Sequence, residues 1–122
     1  MEQYLLLVDN HLPTLQVIQE ILEMSGYKVL TADNGLSALT LFNQHQEQVN
    51  LVITDLQMPP PDGLALLVAL RSIRPQLKII LMTGKKHLVN TPTHPIHQTT
   101  SVLLKPFRAP QLLDLVTSIL QS

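Results

Sequence analysis

Five short apolar runs alternate along the chain with longer segments whose apolar residues recur every three or four positions. Short apolar runs predict strands that are buried on both faces of a sheet, and the longer period predicts amphipathic helices. Strands and helices in regular alternation indicate five βα units, hence an α/β fold with a doubly wound parallel sheet. The predicted strands are Tyr4–Val8, Tyr27–Ala32, Asn50–Asp55, Lys78–Met82 and Ser101–Leu104.

The first three predicted helices carry start signals. Pro13 suits the first turn of the first helix, and Asn10 can serve as its N-cap. Asn34 and Asp62 have the side chains of N-caps for the second and third helices. The apolar residues expected on the inner face of the second helix are Leu36, Leu39 and Phe42.

The segment between the fourth and fifth strands, Lys85–Thr100, departs from this pattern. It contains Pro92 and Pro95 and has no convincing helical stripe. Because proline removes a backbone donor and clashes with the preceding turn, any fourth helix should be short or distorted. Of its histidines, only His94 and His97 approach the spacing of a helical ligand pair, and Pro95 lies between them, so a metal site there is disfavoured.

Composition narrows the class of protein. A length of 122 residues fits one domain, 1–122, with one core. The net charge of −1 argues against direct nucleic-acid binding, which needs a basic face. The chain has no cysteine, and its longest apolar run, Leu64–Leu70, is too short to cross a membrane. The N-terminus lacks a signal-peptide pattern, so we expect a cytoplasmic protein.

Chemically active side chains follow four of the predicted strands. Asp9 and Asn10 follow the first strand, and Asp55, Thr83 and Lys105 end the third, fourth and fifth. Parallel strands end at one edge of a sheet, so these groups should converge in one crevice. A carboxylate can attack phosphorus, provided that a hard cation and a fixed ammonium balance the charge. The set predicts an acceptor for a phosphoryl group.

These residues belong to longer motifs: Val8–Asn10, Thr54–Pro59 with Asp62 and Gly63, Met82–Gly84 and Leu104–Phe107. In this order, each at the end of its strand, they resemble those of a response-regulator receiver domain of bacterial two-component signalling. The resemblance covers the whole chain. It implies a flavodoxin-like fold with strand order 2-1-3-4-5.

The resemblance also implies a function. A histidine kinase or phosphotransfer protein would donate the phosphoryl group, and a downstream protein partner would respond to it. Such a domain is not an enzyme beyond its own phosphotransfer and dephosphorylation, and it contacts neither nucleic acid nor membrane directly. By position, the implied site comprises the phosphoacceptor Asp55, the catalytic residues Thr83 and Lys105, the Mg²⁺ ligands Asp9, Asn10, Asp55 and Gln57 (through its backbone carbonyl), and Gly84, which leaves room in the pocket.

Three departures from the family pattern leave an alternative open, and one of them is the proline-containing segment Lys85–Thr100, which stands where receivers usually have a fourth helix that forms part of the output face. Asn10 stands where receivers usually carry a second acid, so Mg²⁺ should bind weakly. Val102 stands where an aromatic residue usually reports phosphorylation. The alternative is a pseudo-receiver, an interaction module that no longer depends on phosphate. A phosphatase with an aspartate nucleophile is disfavoured, because Gln57 cannot protonate a leaving group.

Overall fold

The computed structural model describes residues 3–85 and 100–121 of the chain. Within them, strands and helices alternate as the apolar pattern predicts. The elements are β1 (Tyr4–Val8), α1 (Leu12–Met24), β2 (Lys28–Ala32), α2 (Gly35–Gln44), β3 (Val49–Asp55), α3 (Gly63–Ile73), β4 (Lys78–Thr83), β5 (Thr100–Leu104) and α4 (Ala109–Gln121).

The five strands form one parallel sheet in the order β2-β1-β3-β4-β5. This confirms the predicted α/β class and strand order. β4 extends through Thr83, one residue further than predicted, and pairs that residue with Leu104 of β5. The prediction of a short or distorted helix in Lys85–Thr100, like the argument about its histidines, concerns residues 86–99, which lie outside the described part of the chain.

The sheet separates two apolar layers, because successive side chains of a strand point to opposite faces. The α2/α3 layer contains the strand residues Leu6, Val52, Ile79 and Leu81, with Val102 packed against it. The α1/α4 layer contains the strand residues Leu7, Leu51, Ile53, Ile80 and Met82. By the same alternation, Asp55 follows Ile53 on the α1/α4 side, and Thr83 follows Leu81 on the α2/α3 side.

Two local predictions about the helices are wrong. Leu36 is 66% exposed, and α2 instead buries Ala38 and Phe42, which lie one turn apart. The N-cap of α1 is His11 and not Asn10. The predicted caps of α2 and α3 are confirmed: their side-chain oxygens accept hydrogen bonds from backbone N–H groups three residues later, at 2.8 and 2.9 Å.

Gly63 allows α3 to begin directly against the end of β3. A β-carbon at this position would lie 2.6 Å from Leu56 Cα, inside any allowed contact distance. Gly35 plays the same part for α2, since a β-carbon there would lie 2.5 Å from Pro61 Cγ. Two glycines thus let both helices pack closely on the loop that follows Asp55. No helix within residues 3–85 and 100–121 has the length and apolar character needed to cross a bilayer.

Candidate functional site

Hydrogen bonds of the sheet continue past the strand ends and fix the backbone of the site. The Asp9 N–H donates to the Ala32 carbonyl at 3.2 Å, which extends the pairing of β1 with β2. The Leu56 N–H donates to Met82 O, and the Lys105 N–H donates to Thr83 O, both at 2.8 Å. The residues predicted from strand ends are therefore held by the sheet at one edge.

Lys105 joins the two predicted carboxylates. Its Nζ lies 3.4 Å from Asp9 Oδ2 and 3.4 Å from Asp55 Oδ2. The Asp9 side chain is fully buried, that of Asp55 is 12% exposed, and that of Lys105 is 29% exposed. Opposite charges at this separation and depth attract each other more strongly than on an open surface. Two carboxylates and one ammonium leave the cluster with a formal charge of −1.

A backbone N–H group holds the other oxygen of each carboxylate. The His11 N–H donates to Asp9 Oδ1 at 2.9 Å, and the Gln57 N–H donates to Asp55 Oδ1 at 3.3 Å. Each carboxylate is therefore oriented from both sides, by a backbone donor and by the Lys105 ammonium. This arrangement directs both Oδ2 atoms toward the same point.

The pKa of the Asp55 carboxyl is raised above its ordinary value. Burial is the largest cause, because it disfavours the charged form. The positive charge of Lys105 lowers the pKa, and the negative charge of Asp9 raises it. Asp55 is the member of the pair that water still reaches, so it is the carboxylate that a reagent from outside can meet.

Thr83 and Gly84 border the cluster on the β4 side. The Thr83 side chain is buried, and its Oγ1 accepts the Lys85 N–H at 3.0 Å, which leaves the hydroxyl proton free for another acceptor. No hydrogen bond of the described residues joins this hydroxyl to Asp9, Asp55 or Lys105. Among the described residues, the atom nearest to a β-carbon at Gly84 would be Lys105 O, at 3.9 Å, so these residues leave space beside Gly84.

The oxygen atoms at this edge suit a hard cation such as Mg²⁺. Asp9 and Asp55 supply carboxylates, and Asn10 and Gln57 line an adjoining cavity of about 510 Å³ that also includes Asp62. Among the described residues, no group of three or more His, Cys, Asp or Glu side chains is placed to hold a metal. The donor set therefore fits Mg²⁺ in type, but it brings only two charged ligands.

His11 is the member of this cluster that sequence reasoning missed. Its backbone holds Asp9, and its Nδ1 accepts from the Thr14 N–H at 3.4 Å and lies 2.7 Å from Thr14 Oγ1. The sequence did contain a signal for this cap. His11 has a ring nitrogen that can accept a hydrogen bond, and it stands two residues before Pro13 and three before Thr14. Histidine is uncommon as an N-cap, so the pattern favoured Asn10.

The chain belongs to the response regulator receiver domain family, whose family model matches residues 5–117. It is 34% identical over 115 residues to the response regulator receiver protein CpdR of Brucella abortus (strain 2308), covering 94% of this chain and 92% of that protein. It is 30% identical to the transcriptional regulatory protein GlrR of Escherichia coli (strain K12), covering 97% of this chain but 26% of that protein. The chain thus spans about a quarter of the length of some relatives and nearly all of another.

Solved structures agree with this assignment. The crystal structure of a response regulator receiver domain protein from Clostridium thermocellum superposes with a TM-score of 0.89 at 28% identity, covering 98% of this chain and 94% of that one. A CheY-like receiver domain protein from Methanospirillum hungatei JF-1 gives a TM-score of 0.86 at 27% identity, covering 99% and 95%.

Membership of this family establishes the general role of the protein. It is a receiver domain of two-component signal transduction, a family of non-enzymatic phosphoacceptor modules. Membership also implies a histidine kinase as the upstream partner and Mg²⁺ as the usual metal of the family. The phosphatase interpretation does not apply to a member of this family.

Proposed function

We propose that Asp55 accepts a phosphoryl group from the phosphohistidine of a histidine kinase or phosphotransfer protein. The observation that supports this most directly is the position of Lys105, whose Nζ lies 3.4 Å from both Asp9 Oδ2 and Asp55 Oδ2. A lysine held between two carboxylates, one of them partly exposed, places positive charge where a phosphoryl group would arrive.

The chemistry follows from this placement. A carboxylate oxygen of Asp55 attacks phosphorus, the bond from phosphorus to the donor imidazole nitrogen breaks, and the imidazole leaves with its bonding electrons and is then protonated. An acyl phosphate remains on Asp55. Lys105 stabilises the negative charge of the phosphoryl oxygens, and the Thr83 hydroxyl donates to one of them. Gly84 leaves space for the group.

Mg²⁺ would be held by oxygens of Asp9, Asp55, Asn10 and the Gln57 carbonyl, and when bound it supplies further positive charge beside the acceptor. Backbone groups of the chain orient the carboxylates of Asp9 and Asp55. The His11 N–H and the Gln57 N–H fix one oxygen of each carboxylate, so the other oxygens face Lys105. Of the two carboxylates, the partly exposed Asp55 meets the arriving group.

The phosphorylated domain would then act through contacts with a downstream protein. Val102 is half-buried and packs against the α2/α3 layer, and it has no hydroxyl through which a side-chain rotation could report the new charge. This observation favours a second candidate function, a pseudo-receiver that binds its partner whether or not Asp55 is phosphorylated.

Intact-protein mass spectrometry decides between the two functions. The protein is incubated with Mg²⁺ and a small phosphodonor or a phosphorylated histidine kinase. We expect the added mass of one phosphoryl group in the wild type and in Asp33→Asn, a control that alters an exposed carboxylate at the same edge. Asp55→Asn should show none. Absence of that mass in the wild type with every donor would leave the pseudo-receiver as the function.

A further inference from the structure

We propose that His11 is a positioning residue, whose side chain caps α1 so that its backbone N–H is directed at Asp9. The inference rests on the proposed phosphoacceptor function, because it assigns the residue that orients one wall of that site. It is carried by the contacts of His11 on both sides: with helix α1 through its ring, and with Asp9 through its backbone.

The first step concerns the ring. His11 Nδ1 lies 2.7 Å from Thr14 Oγ1 and accepts the Thr14 N–H at 3.4 Å. The second contact satisfies the Thr14 N–H, one of the backbone donors of the first turn of α1 that have no partner within the helix. Both contacts also fix the His11 backbone in the extended conformation, with φ −93° and ψ 102°.

The second step concerns the backbone. With its conformation fixed, the His11 N–H points at Asp9 Oδ1, at 2.9 Å. Asp9 is fully buried, so no water can replace this donor without opening the site. The remaining oxygen, Oδ2, then faces Lys105 at 3.4 Å. A chain of contacts therefore runs from Thr14 through His11 and Asp9 to Lys105 and Asp55.

A matched pair of variants separates positioning from simple helix capping. His11→Ala removes the cap of α1, and Asn34→Ala removes the cap of α2, whose Oδ1 accepts the Ser37 N–H at 2.8 Å. Both should lower Tm by a few degrees, about the usual effect of a lost cap. His11→Asn is the conservative variant, because asparagine is a strong N-cap and keeps the same backbone donor.

The first readout is the affinity for Mg²⁺ alone, by calorimetric titration. We expect His11→Ala to bind Mg²⁺ about three- to tenfold more weakly than the wild type, because the backbone N–H of residue 11 remains but its hydrogen bond to Asp9 is weakened when the cap is lost. His11→Asn and Asn34→Ala should bind as the wild type does. Thr14→Val, which replaces the hydroxyl with a methyl group and keeps the backbone N–H, should also weaken Mg²⁺ binding, but less than His11→Ala.

The second readout is amide hydrogen exchange at residue 11, which reports the bond to Asp9 whether or not Mg²⁺ binds. His11→Ala should exchange at least about tenfold faster there, and His11→Asn and Asn34→Ala should not. Equal exchange at residue 11 in His11→Ala and Asn34→Ala would overturn the proposal, as would a His11→Asn variant as impaired as His11→Ala. If the wild type accepts no phosphoryl group but the exchange pattern holds, the proposed function fails and the positioning role stands.

Discussion

Asn10→Asp should strengthen Mg²⁺ binding at the edge of the sheet where Asp9 and Asp55 lie. Asn10 is exposed at the mouth of the cluster and lines the cavity that Gln57 and Asp62 also border. Asp9, Asp55 and Lys105 together carry a formal charge of −1, so a carboxylate at position 10 would raise the negative charge to −2. The substitution changes the charge and keeps the length of the side chain.

The expected gain in Mg²⁺ binding free energy follows from the charge added at residue 10 and from the exposure of that residue. Two unit charges about 4 Å apart attract by about 1 kcal/mol in water, and a divalent cation doubles that figure. Because position 10 is open to solvent, we expect a gain of on the order of 1–3 kcal/mol, hence Mg²⁺ binding about one to two decades tighter.

Mg²⁺ is titrated into the wild type, Asn10→Asp and a control variant. Binding is measured by calorimetry or by the change in amide chemical shifts. The control is Asn43→Asp, which adds the same charge at an exposed position near the C-terminal end of α2, away from the site edge. Its affinity should equal that of the wild type. Equal affinities of Asn10→Asp and the wild type would refute the reasoning, since they would mean that the metal is held without residue 10.

Three further outcomes can be measured. Burial raises the pKa of Asp55, so its charge costs stability: the native protein should lose stability as pH rises from the ordinary carboxyl range through the raised pKa. Asp55→Asn should remove this dependence and raise Tm at neutral pH, and a lower Tm would contradict it. Gly63→Ala should lower the free energy of unfolding in urea by about 2 kcal/mol or more, and Gly84→Ala by less than about 0.5 kcal/mol, because only the first would place a β-carbon closer to backbone atoms than van der Waals contact allows. Similar losses in the two variants would contradict the close-packing argument. Phe42→Ala, which empties a fully buried position, should cost about 3–5 kcal/mol, and a loss near zero would place that ring outside the core.

Much of the fold could be predicted because the three central strands, β1, β3 and β4, are buried on both faces. A run such as Tyr4–Val8 admits few alternatives, and the observed β1 has the predicted bounds. Helix faces were less certain, since a large apolar residue at the start of a helix can lie outside the packed stripe. Leu36 does so, and α2 instead buries the smaller Ala38 at the turn spacing of Phe42.

The strand ends predict which residues lie at the candidate site, but they do not predict the electrostatics of the site. That Asp9 and Asp55 meet follows from parallel strands ending at one edge. That Lys105 contacts both, and that Asp9 is the more deeply buried, depends on side-chain rotamers, which no local sequence pattern encodes. His11 was missed for the same reason: its role lies in a backbone N–H, which every residue except proline has.

The separation of the interior into two apolar layers bears on how such a protein can change over time. Asp55 lies on the side of α1 and α4, and Thr83 and Val102 lie on the side of α2 and α3. A substitution that repacks one layer reaches the other only through strand backbone, which hydrogen bonds hold in register. Substitutions in the two layers can therefore accumulate at different rates, and one layer can be repacked while the packing of the other is kept.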